Sequence, residues 1–204
     1  MSLQGRLAGR SGWVSQALLL AAPLFFALAV SSQAQFAELT AEDTQKSDRI
    51  TILKILKVGT LANQEVLDRY IKWHIAAMTQ KKHFPELQAL RANLRYRVLQ
   101  PAGRADDPSV LRYLNGMILT DMRSLTSSDY HPYTRVNAAL LIGELNEKEA
   151  PSSGRTPPVP WSSSLEAVLT LLIEVGQLEA VKAASLRGVD RHCRFGIRDE
   201  ALKR

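Results

Sequence analysis

The chain has 204 residues, 46% of them hydrophobic and 23% charged, with a formal net charge of +6. That length and balance suit one domain with a sizeable core and exclude a weakly hydrophobic, highly charged disordered chain. Cys193 is the only cysteine, which excludes an intramolecular disulfide framework, and so modest a basic excess does not by itself imply a nucleic-acid partner.

Residues 1–34 read as a secretory signal. Arg6 and Arg10 form a positive leader, Ala17 to Val30 is an apolar run, and Ser32-Gln33-Ala34 places small residues at a cleavage site before Gln35. The run is shorter than the about 20 residues of a bilayer span. The alternative is an uncleaved N-terminal membrane anchor, the one way in which this sequence would meet a membrane. Cleavage would remove Arg6 and Arg10 and no acid, lowering the charge from +6 to +4. The expected location is therefore the periplasm or the exterior.

Residues 35–46 are expected to be a flexible lead-in, and residues 47–204 the folded domain. Arg49 to Val58 fits either a strand or a helix, and the helical surroundings favour the helix. From Asn63 to Gln80, Leu67, Tyr70, Ile71, His74, Ile75 and Met78 recur at helical spacing. Pro85 then suits the first position of a helix. Leu87, Leu90, Leu94 and Val98 would form its buried face, leaving Arg91, Arg95 and Arg97 mainly for solvent. Asp107-Pro108 signals a new helix start, with an N-cap carboxylate and a proline in the first turn. Val110, Leu111, Leu114, Met117, Ile118, Met122 and Leu125 give that helix its stripe.

Pro132 opens the helix on which the chain turns, running to about Leu145 and apolar on nearly every side between Ala138 and Ile142. Residues 146–163, rich in proline and serine, read as a loop between two units. Ser163-Ser-Leu-Glu166 matches a capping box, in which serine and glutamate satisfy each other's backbone donors. A helix to about Val175 follows, then a tight turn at Gly176-Gln177, then a helix from Leu178 to about Cys193. So short a connection makes the last two helices antiparallel. No segment is a confident strand.

Two of these helices share a signature. Val136, Ala138, Ala139, Leu141 and Gly143 reappear as Val181, Ala183, Ala184, Leu186 and Gly188, each 45 residues later. A period in the forties is that of paired-helix repeats. Glycine inside a helix costs about 1 kcal/mol against alanine, so Gly143 and Gly188 predict a close approach of backbones or a helix end.

With Arg135 before it, this signature resembles the second helix of a HEAT repeat. The resemblance covers residues 107–195 well and 47–100 loosely. It departs from the family in the long loop between units and in Lys182, which follows its valine where Arg135 precedes its own. The whole chain is also similar to uncharacterised exported bacterial proteins with HEAT-like helices. The resemblance implies an all-α fold of antiparallel helix pairs stacked as a short right-handed α-solenoid. It also implies protein binding rather than chemistry.

The residues offer little chemistry of their own. No two of His74, His83, His131 and His192 have the i,i+4 spacing of a helical zinc pair. His192 and Cys193 are adjacent and would point about 100° apart on a helix. His74 lies on an apolar stripe and reads as a packed histidine, and His131 reads as a helix-start residue. Asp106-Asp107 and Glu147/Glu149 sit beside turn signals. No catalytic, metal-binding or cofactor-binding residue is therefore assigned. A basic stretch that includes Lys81, Lys82, Arg91 and Arg95, together with Trp161 after Pro157-Pro-Val-Pro160, is the candidate interaction face. With aromatics at 6%, base stacking has few participants, and no nucleic-acid partner is expected.

The expected function is thus an exported, non-enzymatic scaffold that binds another protein. The alternatives are a hydrolase built around His192 and Cys193, and a structural or anchoring domain of the cell envelope.

Overall fold

The computed structural model describes residues 46–61 and 63–196, so the expected signal segment and most of the lead-in lie outside the described residues. Among the described residues seven α-helices carry the fold. The first is α1 (Lys46–Val58), the segment whose spacing left strand and helix open. It buries Ile52, Ile55 and Leu56 and leaves Leu53 exposed. Next is α2 (Gln64–Thr79), which buries the stripe from Leu67 to Met78, with Tyr70 packed at its edge.

The following segment departs from a simple helix. Pro85 lies inside a 3₁₀ turn, Lys81–Glu86, rather than opening an α-helix. Then come α3 (Leu87–Ala92), a π-helical stretch Asn93–Leu99 and a helical turn Gln100–Ala102. In the π register hydrogen bonds span five residues. Arg95 lies in this stretch, between buried Leu94 and exposed Tyr96. It is itself buried, against the expectation of a solvent-facing arginine.

The next pair is α4 (Ser109–Leu125) and α5 (Pro132–Glu144). Asp107 caps α4 by accepting the Ser109 N–H at 2.8 Å, with Pro108 just outside the helix. His131 caps α5 through its ring, Nδ1 accepting from the Tyr133 N–H at 3.3 Å.

The expected loop contains a small ribbon instead. β1 (Asn146–Lys148) pairs antiparallel with β2 (Val159–Pro160), with Asn146 opposite Pro160 and a bulge between. Asn-Glu-Lys has no strand pattern. The ribbon is held from outside itself: Asn115 Nδ2 donates to the Asn146 carbonyl at 2.7 Å, and Trp161 N–H to the Leu145 carbonyl at 3.1 Å.

That pairing brings the chain into α6 (Ser162–Ile173) earlier than the capping box implied. Trp161 is the N-cap residue, and Ser163 is exposed within the helix. Ser164, not Ser163, bonds back to the cap residue, its hydroxyl donating to the Trp161 carbonyl at 2.8 Å, and among the described residues no side chain caps the first N–H groups. The turn at Gly176, with φ of +80°, leads to α7 (Glu179–Phe195).

Cross-chain contacts give the helix directions. Ser164 at the start of α6 meets His192 near the end of α7 at 3.0 Å, so these two run antiparallel. Arg135 at the start of α5 reaches Gln177 just before α7, at 2.5 Å. At the other end Arg191 donates to the Gly143 carbonyl at 3.0 Å, so α5 and α7 run parallel. Parallel neighbours recur upstream. Ser109 at the start of α4 donates to the Gly59 carbonyl just before α2 at 3.0 Å and Tyr113 further along donates to Asp68 at 2.5 Å, and Arg91 and Arg95 meet Asn137 and Glu149 in turn. These partners lie 42 to 54 residues apart.

The signature glycines meet where α5 crosses α7. A Cβ built on Gly143 would lie 2.9 Å from the Gly188 Cα, and one on Gly188 would lie 3.1 Å from the Gly143 Cα. Their absence of side chains lets the backbones touch, as two interior glycines at equal places in a repeat predicted. The chain is thus mostly helical, built by packing helix on helix around one continuous core.

Candidate functional site

The residues singled out for an interaction face do not form one surface of like exposure. Lys81 and Lys82 are exposed in the 3₁₀ turn. Arg91 turns toward α5, donating to Asn137 Oδ1 at 3.3 Å and forming an ion pair with Glu144. Arg95 goes deeper, its Nη2 donating to Glu149 Oε2 at 2.8 Å. The correction for both arginines has one cause: carboxylates from the far side of the chain meet them. Trp161 is half-buried against the core, so it ties the ribbon down.

Glu149 is the centre of a buried polar knot. One oxygen accepts from Arg95 and the other from Asn146 Nδ2 at 2.7 Å. Asn146 in turn receives Asn115 on its carbonyl and Arg191 on its side-chain oxygen. Arg191 also donates to the Gly143 carbonyl, one of the last carbonyls of α5, which the helix leaves without partners. Burial pushes the Arg191 pKa down, and the neighbouring charge of Arg95 adds to this, while Glu149 and Glu144 oppose it. A second knot lies at the other end of α5, where Arg135 donates to Gln177 Oε1 and, at 3.2 Å, to the Thr126 carbonyl. No spacing in the sequence announces either knot, because the partners lie on different helices.

A cleft of about 610 Å³ opens beside the ribbon. Asp106, Arg112, Glu147, His192 and Cys193 line it, so the adjacent pair His192–Cys193 does share one opening. The two differ in access. Cys193 is exposed, whereas His192 is buried and its Nε2 meets the Ser164 hydroxyl. Ser164 is fully buried and donates to a backbone carbonyl. With that proton committed, His192 Nε2–H is the donor to Ser164, and the pair fastens α6 to α7. Burial lowers the His192 pKa, with the charge of Arg191 adding to it.

His74 is buried on α2, with its Nδ1 donating to the Tyr70 carbonyl at 3.0 Å; burial lowers its pKa and that bond opposes the shift. Among the described residues no three His, Cys, Asp or Glu side chains gather as a metal site would require. Among the same residues no helix is long and apolar enough to cross a membrane.

The outward sides of α6 and α7 carry apolar residues. Leu169 and Ile173 on α6 and Leu186 on α7 are exposed, and Val175 in the turn is nearly fully so. Leu186 holds the place in its signature that Leu141 holds in α5, yet Leu141 is fully buried. Helix α5 has neighbours on two sides, the α3 segment and α7.

Compared with protein-family models, with curated proteins and with solved structures, the chain matches none.

Proposed function

We propose that the chain is a short HEAT-like array, a right-handed α-solenoid of stacked helix pairs, that acts after export as a non-enzymatic scaffold for another protein. One observation carries this reading: helices some 45 residues apart lie parallel and in contact, with Gly143 against Gly188 at the crossing. In stacked repeats each unit buries its face against its neighbours. The exposed Leu169, Ile173 and Leu186 then lie where a further unit, or a partner, would pack. We place the partner contact on that apolar surface. Lys81 and Lys82 are the charged alternative, since Arg91 and Arg95 are engaged within the fold.

The test is affinity capture of partners by the tagged full chain from the cell envelope. One dominant partner is expected. It should be lost with Ile173→Glu combined with Leu186→Glu and kept with Cys193→Ala. The absence of any partner would overturn the scaffold reading. Loss only with Lys81→Glu and Lys82→Glu would move the contact to the basic turn.

A further inference from the structure

We propose that a small cavity over the α5–α7 crossing binds a doubly charged oxyanion of the phosphate class. The cavity measures about 230 Å³, and three arginines, Arg95, Arg187 and Arg191, line it, with Glu144 as its one acidic lining residue. They arrive from two elements. Arg95 comes from the π-helical stretch, and Arg187 and Arg191 stand one turn apart on α7. The glycine contact beneath holds the two helices close, which keeps the arginines within one small space.

Charge and hydrogen bonding both point to an anion. Glu144 is neutralised by Arg91, and Glu149 by Arg95. Among the described residues, the three lining arginines and Arg91 thus stand against Glu144 and Glu149, an excess of two positive charges. Arg95 is only 8% exposed, and its Nη1 is buried with no hydrogen-bond partner among the described residues. A buried guanidinium donor left unspent beside a cavity is a feature an oxyanion would complete, because guanidinium N–H groups match phosphate oxygens in geometry and charge. Arg191 is fixed by its bonds to Gly143, Leu145 and Asn146, so it supplies a positioned charge. Arg187 is exposed and free to close over the ligand from outside. This site does not rest on the scaffold reading, since it needs only the local geometry of α5 and α7.

The experiment is isothermal titration of the full chain with inorganic phosphate at constant ionic strength, using chloride as the control. Saturable one-to-one binding is expected. Arg187→Ala should weaken it about tenfold or more, whereas Arg194→Ala, which removes an equal charge from the same helix outside the cavity, should leave it within about twofold. Phenyl phosphate in a parallel titration separates the sources. Tighter binding than inorganic phosphate identifies a phosphoryl group carried by a small molecule; equal or weaker binding identifies the free ion. No saturable binding at millimolar phosphate overturns the proposal. So does equal weakening by the two variants, which would mean general charge attraction.

Discussion

Glu149→Ala is expected to destabilise the protein by about 3–5 kcal/mol, the range for removing one partner of a buried ion pair. Glu149 is 4% exposed, and both its oxygens are used, one by Arg95 and one by Asn146. Without it the Arg95 guanidinium stays desolvated with no counter-charge. The ribbon also loses the carboxylate that ties it to the helices. For a chain of this size each kcal/mol moves Tm by about 2–4 °C, so a fall of roughly 6–20 °C should appear in thermal unfolding followed by circular dichroism. Two companions make the cause readable. Glu147, two residues earlier and exposed, should tolerate alanine within about 0.5 kcal/mol. Arg95→Met added to Glu149→Leu should recover most of the loss, because replacing both members of a buried pair by apolar groups is close to neutral. A Glu149→Ala protein as stable as the parent would show that Arg95 is hydrated rather than buried.

Gly143→Ala sets helix propensity against packing, and packing should win. Alanine is favoured over glycine inside a helix by about 1 kcal/mol. At this position, however, the new Cβ would lie 2.9 Å from the Gly188 Cα, which is backbone and cannot rotate away. Forcing one carbon into a closed contact costs about 1–3 kcal/mol and shifts the backbone, so the net change is a loss. Gly116, in the middle of α4, is the control. A Cβ there meets nothing within 4 Å, and Gly116→Ala should stabilise by about 0.4–1 kcal/mol. Opposite signs for the same substitution in two helices, measured by urea unfolding, would identify the α5–α7 crossing as the tight point. A gain at both positions would mean that the two signature helices do not touch.

Much of this fold could be read from the residues. The apolar spacing in 64–79 and 109–125 gave helices because every third or fourth side chain has one core to face. Interior glycines in matching places left a backbone contact or a helix end open, and Gly143 and Gly188 make the contact. The features that escaped the sequence are those set by distant partners. Arg95 looked solvent-bound on a regular helix, but the chain adopts the π register there and the carboxylate that receives it is 54 residues away. β1 is polar and too short to alternate, and it pairs only because Asn115, Leu145 and Glu149 fix its ends. The Ser163–Glu166 motif was locally sound and lost to the Trp161 bond, which starts α6 earlier. The cluster of three arginines had no sequence signature, since Arg95 and Arg191 meet only through the parallel packing of α5 beside α7.

The most direct test of the account is one proton–proton distance. The parallel packing of helices 45 residues apart underlies both the repeat reading and the arginine cavity, and its closest point is Gly143 against Gly188. With glycine selectively labelled, only 11 residues contribute Hα signals, and a nuclear Overhauser cross-peak between these two can be sought in isolation. A strong Gly143 Hα to Gly188 Hα cross-peak is the predicted result. Both resonances assigned with no cross-peak between them would contradict it, and the stacked-repeat scaffold would fall with the contact.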